Sequence, residues 1–237
     1  MRIDKLLAHT GFGSRTDVKK LLKEKAVKVD GATVADPKYK VDAKNQSVTV
    51  HDEAVFYREF VYLMMNKPKD CLSATQDKSG RTVVDLLSGE YQTYGVVPAG
   101  RLDRDTEGLM LLTNDGGLVH SLISPKKDVF KRYAAKISGS LTQESIAKLE
   151  AGVTILDGQN QPFTTLPAKI KDLGDNWVQV EITEGKFHQV KRMFASVGCK
   201  VTYLKREAIG ALELDPALKL GEYRELTEAE LGIFKSR

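Results

Sequence analysis

The chain has 237 residues, of which 41% are hydrophobic and 29% charged, with a formal net charge of +4. Those proportions suit two folded domains of ordinary size, about 100–150 residues each, and exclude a disordered or low-complexity chain. Cys71 and Cys199 stand in no CxxC spacing, the four histidines form no ligand pattern, and no apolar run nears the roughly 18 residues of a membrane span, so disulfide-scaffold, zinc-centre and transmembrane classes drop out as well.

The positive charge sits at the front. Residues 1–40 hold ten Lys and Arg against five Asp and Glu, whereas the remaining 197 hold 26 against 27. The opening MRIDKLLAHTGFG lacks the apolar core of a secretion signal, which makes the cytoplasm the expected location and reduced thiols the expected state of both cysteines. Ser14 is placed to cap a helix over SRTDVKKLLKEKAV, where Val18, Leu21 and Leu22 form the inward stripe and Arg15, Lys19, Lys20 and Lys23 point elsewhere. VKVDGATV follows as a hairpin turning at Asp30-Gly31, and SVTV at 47–50 closes the unit. One reading of the basic helix is a solvated lysine face. The other is a phosphate-tracking surface, because binding a nucleic-acid backbone needs cations clustered on one small unit.

Residues 51–60 read as a polar connector, with a domain boundary near Phe56 or Tyr57. A strand at 61–65 then ends in the Asn66-Lys67-Pro68 turn, and a helix is expected at 82–88. The charged loop RLDRDTEG leads into an unbroken apolar run at 108–113, which reads as a strand buried on both faces and closed by Asn114-Asp115-Gly116. A helical turn at 116–123, a strand at 133–137, and a helix from Thr142 to Gly152 follow. Two strands flank Gly174-Asp175-Asn176, a helix covers 187–197, and after a strand at 212–214 a capping box from Thr227 to Glu230 opens the last helix. Strands outnumber helices and hairpin turns join several of them, which predicts an α+β domain with a mixed, largely antiparallel sheet.

Three readings of the charged loop compete. It is a solvated surface loop, or Asp103-x-Asp105 is a cation-binding pair, or one of these aspartates is a nucleophile kept ionised by neighbouring cations. Arg101 and Arg104 interleave with the aspartates and argue against a metal. An extended approach to the strand puts Asp103 and Asp105 on one face, so spacing leaves the choice between them open. On a helical wheel of EGKFHQVKRMFASVG, the side chains of Phe187, Val190, Met193, Phe194 and Val197 form one apolar arc. Lys191 lies at its border, within reach of a partly buried carboxylate, and Arg192 lies nearly opposite, facing solvent or phosphate. The alternative for Lys191 is a stem snorkelling along the core edge.

These stretches carry two resemblances. RIDKLLAHTGFGSRTDVKKLLKEKAVKVDG resembles the small RNA-binding domain named after ribosomal protein S4, which implies an RNA-binding face made by Arg2, Lys5, Arg15, Lys19 and Lys20. RLDRDTEGLMLLTNDG resembles the signature loop of the pseudouridine synthases, where the aspartate after Arg-Leu is the nucleophile; that position is Asp103. NKP at 66–68 looks like the motif that packs beneath this loop, KRY at 131–133 like the segment whose tyrosine lies against the target base, and the stretch from Glu184 like the one supplying a basic partner, here Lys191. Asp70 departs from the pattern, standing where the family usually has glycine, which leaves the turn there open.

With the closing LKREAIGALEL and GEYRELT, the likeness points to the ribosomal small-subunit pseudouridine synthase A group. It implies an S4-like domain at 1–57 and a catalytic domain at 58–237, acting without cofactor or metal. The catalytic set is then Asp103, Tyr133 and Lys191, with Arg101, Arg104, Arg192 and Lys67 as substrate contacts. The implied partner is small-subunit ribosomal RNA or a ribosome assembly intermediate, met by a monomer away from any membrane. A large-subunit enzyme and a non-catalytic RNA-binding or assembly factor are the alternatives, and plain core packing is the alternative for Tyr133.

Overall fold

The structure, a computed structural model, describes residues 1–123 and 129–235 and divides into two compact units. The first takes in Met1–Val61 and Leu87–Val96, the second Tyr62–Leu86 and Val97–Arg237.

The first unit opens with α1 (Ile3–His9) and α2 (Arg15–Lys23), followed by β1 (Val27–Val29), β2 (Ala32–Thr33), β3 (Val48–Val50) and β4 (Glu53–Ala54), and ends with α3 (Gly89–Thr93). Ser14 starts α2 through a capping box: its Oγ accepts from the Asp17 amide at 3.3 Å, and the Asp17 carboxylate accepts from the Ser14 amide at 3.1 Å. Ile3, Leu6, Leu7, Val18 and Leu22 from the helices close over Val27, Val29, Val48 and Val50 of a sheet ordered β2-β1-β3-β4. Asp30 (φ 50°) and Gly31 (φ 79°) make the tight β1–β2 turn, whose two central residues need positive φ.

The helix expected at 82–88 is reduced to one 3-10 turn at Val84–Leu86. The Asp85 carboxylate accepts from the Thr82 amide at 2.8 Å and its hydroxyl at 2.9 Å, closing a local turn over Val84–Leu86, and extended Ser88 (ψ 156°) separates this turn from α3. α3 packs in the first unit, where Thr93 Oγ1 donates to the His9 carbonyl at 3.3 Å. A single cut near Phe56 or Tyr57 does not describe this return of the chain.

The second unit is built on β5 (Tyr62–Lys67), β6 (Val97–Pro98), β7 (Glu107–Thr113), α4 (Gly116–Ile123), β8 (Lys131–Ser138), α5 (Gln143–Ala151), β9 (Thr154–Leu156), β10 (Pro162–Thr164), β11 (Lys169–Gly174), β12 (Trp177–Ile182), α6 (Gln189–Ser196), β13 (Lys200–Ile209), β14 (Leu212–Glu213), β15 (Tyr223–Glu225) and α7 (Glu228–Lys235). Its main sheet runs β11-β12-β8-β13-β7-β5-β15, with β14 beside β13 and β6 beside β7, and every pair is antiparallel except β13–β7. This is the mixed, largely antiparallel sheet of an α+β fold. β9 and β10 form a separate two-stranded hairpin.

Every residue of β7 is buried, as its unbroken apolar run requires of a central strand. On one face Met64, Leu109, Leu111, Ile209 and Leu212 pack with Leu122 of α4 and Leu231 of α7. At the entry of β7, Gly108 (φ 103°) passes so close to β13 that an added Cβ would lie 2.2 Å from the Arg206 carbonyl oxygen. Both cysteines are buried and free of disulfides. Among the described residues no helix is long and apolar enough to cross a membrane.

Candidate active site

The loop 101–106 lies at the entry of β7, where β8, β13 and the start of α6 also converge. Asp103 and Asp105 both meet Lys191 across this junction: Lys191 Nζ donates to Asp103 Oδ2 at 3.0 Å and to Asp105 Oδ1 at 2.5 Å. Their surroundings differ. The Asp103 side chain is 23% exposed and lines a small cavity of about 60 Å³ with Arg101, Thr106, Tyr133 and His188, whereas Asp105 is 69% exposed and does not line it. Burial opposes ionisation of Asp105, but the hydrogen bond and charge of Lys191 outweigh it and hold the carboxyl below its ordinary 3.8. Burial likewise pulls Lys191 down, yet bonds to Asp105 and Asp103 and their charges raise it above 10.5, so the ammonium form persists.

Lys67 has no exposed surface. Its Nζ donates to the carbonyls of Pro68 at 3.0 Å, Asp103 at 3.1 Å, Arg104 at 3.4 Å and Thr106 at 3.0 Å. The expectation of a substrate contact is therefore corrected: Lys67 holds the loop from beneath and has no surface to offer an RNA. Burial pushes its pKa below 10.5 despite Cys71, Asp103, Asp105 and Glu107 nearby. Asp70, in the family's glycine position, sits at φ 56°, the left-handed region glycine favours and aspartate tolerates, and its carboxylate lies 3.4 Å from Arg104 Nε.

Arg192 is corrected too. Its Nη1 donates to the carbonyls of Leu156 and, at 2.6 Å, Asp157, fastening α6 to β9 instead of facing phosphate. Phe187 leaves the predicted arc because α6 begins only after left-handed His188 (φ 52°); Phe187 is 52% exposed, its ring stacked on His188 at 3.8 Å, with the Arg192 guanidinium 5.0 Å from the ring centre. Gln189 is the buried brace of this turn, its Nε2 donating to Glu184 Oε1 at 2.7 Å while its Oε1 accepts from the Lys186 amide at 2.9 Å. His188 was not anticipated from sequence. Its Nε2 lies 3.6 Å from Asp103 Oδ1, on the oxygen that Lys191 leaves open.

Tyr133 is buried and lines the Asp103 cavity. It also borders a second cavity, of about 530 Å³, which shares Arg101, Gly185 and Lys186 as well. In the first unit, Arg2, Lys5, Arg15, Lys19 and Lys20 are all exposed. Arg2 is paired with buried Asp4 at 2.7 Å, and Lys20 lies 3.5 Å from Asp17. Burial, then the charges of Lys5 and Arg15, hold His9 below 6.5, so cations of α1 and α2 bear on one neighbourhood.

Comparison with known proteins matches residues 61–196 to the RNA pseudouridylate synthase family and residues 1–47 to the S4 domain. An uncharacterized RNA pseudouridine synthase of Bacillus subtilis is 52% identical over 98% of each chain. Ribosomal large subunit pseudouridine synthase B of the same organism is 40% identical over 97% of this chain and 93% of its own, and ribosomal small subunit pseudouridine synthase A of Haemophilus influenzae 36% identical over 98% of each. A crystal structure of a pseudouridylate synthase superposes with a TM-score of 0.68 at 34% identity, covering 99% of each chain. Joined to a fold that puts a lysine-paired aspartate beside a buried tyrosine, these matches establish that the chain belongs to the RNA pseudouridylate synthase family and carries an S4 domain at its N-terminus.

Proposed function

We propose that this protein converts one uridine of small-subunit ribosomal RNA to pseudouridine, with Asp103 as the carboxylate that acts at the ribose. The observation that carries the reading is the pairing of Asp103 with Lys191 at 3.0 Å on the wall of a cavity that also holds Tyr133. The reaction breaks the bond between ribose C1′ and base N1, turns the base, and joins C1′ to C5; the proton leaves C5 and N1 gains one, so atoms balance without cofactor or redox partner. Asp103 stabilises the electron-poor C1′, by covalent addition or as a facing anion, while Lys191 keeps the carboxylate oriented. Tyr133 lies along the uracil and is in place to take part in the C5 proton transfer. A paired base cannot reach this cavity, so the nucleotide is extruded at a cost of a few kcal/mol. Phosphate contacts from Arg101, Arg104 and the cations of residues 1–57 offset that cost.

End-to-end similarity to ribosomal small subunit pseudouridine synthases A from several bacteria supports the small subunit as the target. The 40% identity to a large-subunit enzyme favours a second reading, the large subunit. Tritium release from 5-tritiated uridine in each isolated ribosomal RNA separates them: release from the small-subunit RNA alone upholds the proposal, release from the large-subunit RNA alone replaces it, and release from neither leaves an RNA-binding assembly factor.

A further inference from the structure

The main sheet has a face that the catalytic site does not use. Tyr133 pairs with Val180 and Arg206, and Ala135 with Val178 and Leu204, and all six are buried on the side of the Asp103 cavity, which Tyr133 and Leu204 line. Side chains alternate along a strand, so Lys136, paired with Trp177 and Tyr203, points the other way, as do Ala134 and its partners Gln179 and Lys205. Lys171 opposite Gln179 and Lys200 opposite Ser138 extend this second face. At its centre Trp177 and Tyr203 meet edge to face, with ring centres 5.6 Å apart and planes at 74°. Lys136 Nζ lies 5.6 Å from the Trp177 ring centre, Lys69 Nζ lies 5.3 Å from that of Tyr203, and the Tyr203 hydroxyl donates to Glu107 Oε2 at 2.7 Å, which fixes the ring.

The charge on this face is one-sided. Lys69, Lys136, Lys171 and Lys200 are exposed and Lys205 is half-buried, and among the described residues none of the five forms an ion pair. The carboxylates beside them are already engaged, Glu181 with Lys169 at 3.6 Å and Glu207 with Arg132 at 3.7 Å. Like charges on adjacent rungs repel until an anion balances them. Lysines around two aromatic rings on an open sheet suit a single-stranded nucleic acid, since the cations take phosphates and the rings take bases of any identity. Lys69 also carries the patch to the rim of the catalytic loop, because the adjoining Asp70 lies 3.4 Å from Arg104 Nε.

We infer that the face around Trp177 and Tyr203 docks a single-stranded stretch of ribosomal RNA remote from the target uridine, its phosphates on Lys136, Lys171 and Lys200 and a base against Trp177. The inference rests on the reading that ribosomal RNA is the substrate. A nucleotide in the Asp103 cavity lies on the opposite side of the sheet, so the two sites hold separate parts of one RNA. A fragment carrying the target alone then reaches the cavity without touching the second face.

Trp177 is the only tryptophan of the chain, so its fluorescence reports on this face alone. Acrylamide quenching is measured on the full-length protein with each full-length ribosomal RNA, with a short stem-loop holding the mapped uridine, and with polyglutamate. One full-length RNA lowers the quenching constant by about twofold or more, as a base stacked on the indole requires, while the stem-loop and polyglutamate leave it unchanged. The double variant Lys136→Gln/Lys200→Gln, altered only at exposed strand positions, keeps the native melting temperature. It loses about 1.4 from the slope of log affinity against log salt on that RNA, about 0.7 for each phosphate contact, and nothing on the stem-loop. The inference is overturned if neither full-length RNA shields Trp177, or if the double variant binds the shielding RNA with an unaltered slope. Equal shielding by polyglutamate overturns it in favour of an acidic protein partner. Tritium release is read separately: shielding without release leaves the docking face standing and removes the catalytic reading, and release without shielding does the reverse.

Discussion

In Lys67→Met the side chain keeps its length and the carbonyls of Pro68, Asp103, Arg104 and Thr106 lose their shared donor. Three of these bonds are 3.1 Å or shorter, and with a charged donor each is worth about 1.5–3 kcal/mol, a gross loss of about 5–9 kcal/mol. Relief from holding a buried ammonium returns several kcal/mol, about as much as a well-placed ion pair recovers. Burial already outweighs the attraction of Cys71, Asp103, Asp105 and Glu107 at this site, since the pKa of Lys67 lies below 10.5.

The net loss is then about 1–3 kcal/mol, which lowers Tm by about 3–10 °C in a chain of this size. Turnover falls much further, by about 100-fold or more, because the backbone at Asp103 is no longer fixed to within an ångström. Calorimetry and tritium release measure the two quantities. pH supplies a second check. The unfolded lysine titrates near 10.5 and the folded one lower, so between those values the unfolded chain holds more protons and native stability rises with pH. The stability gap between wild type and Lys67→Met therefore widens as pH climbs toward 10.5. A kcat within threefold of wild type, or a gap that narrows as pH rises, refutes the reasoning.

Asp103→Asn abolishes tritium release yet leaves RNA affinity in filter binding within about threefold, because phosphate contacts dominate binding. Asp105→Asn, at an exposed carboxylate outside the cavity, costs less than about tenfold in kcat. Gly108→Ala loses about 3–5 kcal/mol in urea unfolding, through positive φ and collision with the Arg206 carbonyl. Arg15→Gln and Lys19→Gln each reduce the slope of log affinity against log salt by about 0.7–0.9, whereas Arg192→Gln, whose guanidinium is bound to the Leu156 and Asp157 carbonyls, leaves the slope unchanged.

What sequence reveals here follows the physics of each element. β7, the Asp30-Gly31 hairpin, α5 between Thr142 and Gly152, and the capping box at Thr227 were all legible, because each is specified by burial pattern or local capping. β4 and β6 have two residues each, and β9, β10 and β15 three, too short to show any periodicity before pairing. Spacing alone left Asp103 and Asp105 equivalent; the distinction lies in a cavity that β8 and α6 complete from far along the chain. Lys67 looked like an available cation: the resemblance put NKP beneath the loop, but nothing in those residues announces that three carbonyls of that distant loop will enclose the ammonium. Phe187 was misjudged because the left-handed residue that delays α6 is histidine, without the glycine that would signal it.

Among the described residues β13 joins two halves of the main sheet: β8, β12 and β11 lie on one side of it, β7, β5 and β15 on the other. A nascent chain that has not yet released residues 200–209 from the ribosome has no ladder joining the strand that carries Tyr133 to the strand that follows Asp103. Competence therefore arrives late in synthesis, all at once, and an aborted translation product ending before that strand is a bystander to RNA chemistry, not a weakened enzyme.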